Sequence, residues 1–133
     1  MPDEELVPCN YRSLVELPLG AAERINDLPA DTEVTVRTAS GSEYELYVLE
    51  PEARQVMISG GVFGEKPIEA TINGAVLGAD GGPLHCGWIK VGFSLEITFD
   101  SEKYAGFNPP VRTSPVMEIL VNGRKLEPRK RWS

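Results

Sequence analysis

A chain of 133 residues, 41% apolar and 25% charged, has the length of one domain and the composition of a folded one, which excludes a disordered tract. No apolar run approaches the roughly 20 residues of a membrane-spanning helix, and the start Met1-Pro2-Asp3-Glu4-Glu5 lacks the basic and apolar regions of a secretion signal. The net charge of −7 is uneven: residues 124–133 carry +4 and the other 123 carry −11, which disfavours phosphate backbones as partners except at that tail.

These features divide the chain into an N-terminal extension (1–30), a β-barrel domain (31–123) and a basic C-terminal tail (124–133). In the extension, residues 21–28 are good helix formers with Ile25 and Leu28 on one face, and Pro29 stops them. A short helix or helical turn is expected there. From Thr32 the period changes to two. Val34 and Val36 alternate with polar neighbours, residues 39–42 make a turn, and Tyr44, Leu46 and Val48 resume the alternation opposite Glu43, Glu45 and Tyr47. That pattern is a β-hairpin signature. Residues 54–59 form a further strand closed by Gly60-Gly61, and residues 69–76 read as a hairpin turning at Asn73-Gly74.

Residues 88–99 give the clearest signal. Ile89, Val91, Phe93, Leu95, Ile97 and Phe99 alternate without error against Lys90, Gly92, Ser94, Glu96 and Thr98. The reading is one long strand bent at Gly92, the device by which small barrels turn corners. Residues 116–121 form the last full strand, and Asn122-Gly123 offers a type I′ turn into a short returning edge at residues 124–126. About seven strands joined by short connections predict an all-β fold, a small antiparallel β-barrel or sandwich with the helical extension packed on it.

Chemistry-bearing motifs are sparse. His85 is the single histidine, and its neighbour Cys86 would point to the opposite face of a strand, so the two do not make a nucleophile–base pair. No sequence pattern of a hydrolase elbow, a zinc protease, a phosphate loop or a calcium loop is present, so no catalytic residue, metal or cofactor is assigned. Cys9 and Cys86 are the only cysteines, and with no export signal they are expected to be reduced. The sequence therefore points to a cytoplasmic protein without a membrane partner. The glycines at 60–61 and 78–82 could present N–H groups to an anion, but neither precedes a helix, and turn geometry explains them better.

Two surfaces remain. The 100–115 connection holds Tyr104, Phe107 and Arg112, residue types that make interface hot spots, although the two rings could equally plug an open barrel end. The tail holds Arg129, Lys130 and Arg131 beside Trp132, a combination suited to an anionic ligand or a single-stranded nucleic acid. The leading functional expectation is a non-catalytic binding or regulatory module that recognises a protein or small molecule through the 100–115 loop. Anion or nucleic-acid binding through the tail and a carboxylate-dependent enzyme are the alternatives.

Residues 38–44 (Thr-Ala-Ser-Gly-Ser-Glu-Tyr), Gly60-Gly61, residues 87–92 (Gly-Trp-Ile-Lys-Val-Gly) and residues 113–116 (Thr-Ser-Pro-Val) resemble a small set of uncharacterised bacterial β-domain proteins over roughly residues 30–120. That resemblance implies no activity and no site residues. The cyclic-dinucleotide-binding PilZ barrels do not match, because their RxxxR and [D/N]xSxxG motifs are absent.

Overall fold

The period-two stretches form strands, as their alternation predicts. In β2 (Glu33–Thr38) the side chains of Val34, Val36 and Thr38 are buried, and in β3 (Glu43–Glu50) those of Tyr44, Leu46 and Val48 are, while Glu43, Glu45 and Tyr47 face solvent. The computed structural model describes residues 20–77, 83–99 and 110–128, and its regular structure is mostly β. The remaining strands are β1 (Ala22–Arg24), β4 (Gln55–Gly60), β5 (Ile68–Val76), β6 (Leu84–Cys86), β7 (Trp88–Lys90), β8 (Ser94–Phe99), β9 (Val111–Arg112), β10 (Val116–Val121) and β11 (Arg124–Lys125).

Among the described residues, nine strands form one antiparallel sheet in the order β11-β10-β2-β3-β4-β5-β8-β9, with β6 on β5; β1 and β7 form a separate antiparallel ribbon. The sheet is open, which corrects the expected closed barrel. Its two ends nevertheless belong to one stretch of chain. β9 pairs with β8 and β10 pairs with β2, and the residues between them make irregular bonds to both sides. Thr113 N–H donates to the Leu95 carbonyl at 3.0 Å, and Ala39 N–H donates to the Pro115 carbonyl at 2.8 Å. Pro115 has no N–H of its own, and the ladder stops beside it.

Three further expectations need correcting. Residues 21–28 hold a helical turn and no longer helix: β1 occupies Ala22–Arg24, where the helix was expected to begin, and a single 3-10 turn follows at Ile25–Asp27. Pairing of Ala22 with Lys90 and Arg24 with Trp88 overrides the local helix propensity. Asn73-Gly74 is not a hairpin turn but lies inside β5, where the register with β8 shifts between Ile72 and Gly74. There the Gly74 backbone runs so close to β6 that a Cβ would lie 2.2 Å from the His85 carbonyl oxygen. Finally, residues 88–99 are two strands in two sheets. Phe93 N–H donates to the Lys90 carbonyl at 3.1 Å across a turn with Gly92 at φ 95°, so the chain reverses where a bend was expected. Of the six apolar residues, Ile89, Leu95 and Ile97 are buried and Val91, Phe93 and Phe99 half-buried. The Asn122-Gly123 turn does form, with φ of 51° and 82°, and pairs Arg124 with Val121.

The inner sheet face supplies the core, including Val34, Leu46, Ile58, Ile72 and Ile97, each at most 2% exposed. Burial of a side chain of this kind stabilises by about 1.5–3 kcal/mol. Ile25 and Ile89 reach into the same cluster, which packs the β1–β7 ribbon onto the sheet. Trp88, on the other side of that ribbon, joins Ala22, Ala75 and Phe93 in a second cluster. β7 is therefore covered on both faces.

Candidate functional site

Double coverage of β7 has a chemical result. Lys90 is fully buried, and Trp88 and Lys90, two apart on one strand, share a face. The Lys90 ammonium lies 5.6 Å from the Trp88 ring centroid and 5.2 Å from that of Phe93, within cation–π range. His85, 6% exposed on β6, joins Lys90 through a hydrogen bond between Nδ1 and Nζ, and its ring is 5.5 Å from Phe93. His85 is thus a buried strand residue. The signal for this was Trp88, an aromatic on the supposedly polar face of residues 88–92.

Cys86, beside His85, is disulfide-bonded, which corrects the expectation of free thiols. The chain's other cysteine, Cys9, lies outside the described residues.

Of the residues singled out from the sequence, Arg112 alone is described; Tyr104, Phe107, Arg129, Lys130 and Arg131 lie outside the described residues. Arg112 Nε pairs with Glu96 Oε1 at 2.9 Å, while Asn73 Nδ2 donates to Glu96 Oε2 at 2.9 Å and to Thr98 Oγ1 at 2.8 Å. This network ties β9, β8 and β5 together across the sheet, a structural role for Arg112. Lys125 of the tail lies 3.5 Å from Glu118 Oε2. Gly60 N–H already donates to the Gly64 carbonyl at 2.6 Å, which removes it from any anion cradle.

The outer face of β2, β3 and β4 offers a different surface. Cross-strand pairing sets Glu33 opposite Tyr47, Tyr47 opposite Met57 and Met57 opposite Glu69, with Thr35, Glu45 and Ser59 in the next row. Side chains so paired have Cβ atoms about 5 Å apart. A groove of about 470 Å³ opens here, lined by Glu33, Glu45, Tyr47, Met57, Ser59 and Pro67. Tyr47 is 39% exposed, and its hydroxyl donates to Asp31 Oδ1 at 2.7 Å, which fixes the ring and holds the phenol proton more tightly than usual. The Glu45 carboxyl is pushed up, first by partial burial and also by the neighbouring Glu43 and Glu33 charges, although a bond from Thr35 opposes this.

Arg37, on the next row, bridges Glu43 at 3.1 Å and Glu118 at 2.8 Å. No cation among the described residues pairs with Glu33, Glu45 or Glu69. The sequence hint was Tyr47, an aromatic where the alternation of β3 calls for another polar residue. Among the described residues no helix is long and apolar enough to cross a membrane. No family model, no curated protein and no solved structure matches the chain.

Proposed function

We propose that the chain is a non-catalytic binding module that holds a segment of a protein partner in the groove on the outer face of β2, β3 and β4. The observation that carries this reading is the Tyr47–Met57 pair, an apolar centre open to solvent in the middle of a charged sheet face. A rigid aromatic flanked by polar rows is the arrangement from which interface hot spots are made. The chemistry of Arg112, engaged by Glu96, favours this groove over the 100–115 loop as the main contact surface.

Kinship with the uncharacterised bacterial β-domain proteins is part of the same proposal and rests on the four motif groups quoted above. So is a cytoplasmic location, against one contrary sign: the disulfide at Cys86, since reducing compartments keep thiols open.

Selection of a random peptide display library on the wild-type domain, replayed on Tyr47→Ala and Met57→Ala, tests the binding reading. The expected result is a set of peptides that bind wild type and lose at least tenfold on each variant. Tyr47 is exposed, so its truncation should cost no more than about 1 kcal/mol of stability. Peptides that bind all three proteins equally, or no enrichment at all, would overturn the proposal.

A further inference from the structure

The groove's charge identifies the chemistry of its occupant, an inference that rests on the binding-module reading. Glu33 stands directly across from Tyr47, and Glu45 lies two residues away on the same strand and face. The apolar floor between them is the Tyr47 ring with Met57 beside it. Arg37, which shares this face of β2, is engaged by Glu43 and Glu118. Carboxylates on two sides of an exposed ring, with no cation of their own, complement a flat positive group. A guanidinium has that shape: it stacks on an aromatic face while its edge donates to carboxylates, and its stem covers apolar surface. An ammonium is a compact point charge and uses the ring face and the edge less well together.

We propose that the partner segment bears arginine, with one guanidinium on the Tyr47 ring between the carboxylates of Glu33 and Glu45 and its stem against Met57. The Glu45 carboxyl, raised first by partial burial and then by its like-charged neighbours, fits this arrangement, because a cation in the groove would favour its ionised form.

Fluorescence anisotropy with three labelled nonapeptides tests it: Gly-Ser spacers carrying three arginines, the same peptide with citrulline, and the same peptide with glutamate. Citrulline keeps the shape of arginine and removes the charge. The arginine peptide should bind wild type at low salt, with the citrulline twin at least tenfold weaker. Glu33→Gln/Glu45→Gln should lose at least tenfold for the arginine peptide. Asp27→Asn/Glu127→Gln, which removes two exposed charges outside the groove, should stay within twofold.

Equal binding of the citrulline twin, or an equal loss in the control double variant, would overturn the inference, the latter by reducing it to general charge attraction. A glutamate peptide that binds and is lost on Tyr47→Ala would overturn it too, yet leave the binding module standing. Self-association of the chain that Tyr47→Ala abolishes, with no binding of the arginine peptide, would assign the groove to a second copy and reject the inference. Failure of all three peptides together with an empty library selection would remove both readings.

Discussion

Lys90 shows what a single side chain does when both faces of its strand are covered. Its four-carbon stem fills apolar volume, and its charged end meets two aromatic rings and an imidazole nitrogen. Lys90→Ala removes both and should cost about 2–5 kcal/mol in chemical denaturation, as truncation of a large buried side chain does. Lys90→Met keeps most of the stem and should cost less, a ranking that separates packing from charge. Arg37 works in the opposite setting, on the surface. Its hydrogen bonds hold the Glu118 and Glu43 carboxyls below their usual range. Carboxyls lowered in this way contribute stability that is present above their unfolded value, about pH 4.3, and lost as the pH falls through the folded value. Melting curves between pH 6 and 3 should therefore show a shallower loss of stability in Arg37→Gln than in wild type, with the difference shrinking in high salt.

Among the elements, two glycines do different work, and substitution tells them apart. Gly92 sits at φ 95° with nothing within 4 Å of where a Cβ would lie, so Gly92→Ala meets backbone strain alone and should cost about 1–2 kcal/mol. Gly74, at φ 146°, has the His85 carbonyl oxygen 2.2 Å from that position, so Gly74→Ala must also part β5 from β6. Thermal melts should rank Gly74→Ala well below Gly92→Ala. These two positions also mark where reading the sequence succeeds and where it stops. Alternation in residues 33–38 and 43–50 carries its own burial pattern, because one face of those strands meets the core and the other meets water. Residues 88–90 belong to the longest alternating stretch, yet Ile89 packs into the main core and Trp88 into the second cluster, so both faces are covered, and coverage is a tertiary fact. Asn73-Gly74 has the composition of a turn, but the same glycine permits a register shift and a close backbone approach. The groove was half legible: Tyr47 is visible as an exception in β3, whereas Met57 and Glu33 become its neighbours through strand pairing alone.

For the molecule as a whole, the disulfide at Cys86 gives a simple expected outcome: the intact mass of protein purified without reductant should rise by two units on reduction. The open sheet has a consequence of its own, set in time. β2 pairs with β3 close by in sequence, but its other edge is completed by β10, which sets Val34 against Val121. A chain growing from its N-terminus thus holds β2 with an unpaired row of N–H and C=O groups until residues 116–121 have been made. Exposed strand edges of this kind invite pairing with other chains. A chain ending at residue 110 should accordingly scatter light at concentrations where the full chain stays clear. Refolding of the full chain should be slow for its size, in milliseconds to seconds by stopped flow, because the β2–β10 pairing joins residues far apart in sequence.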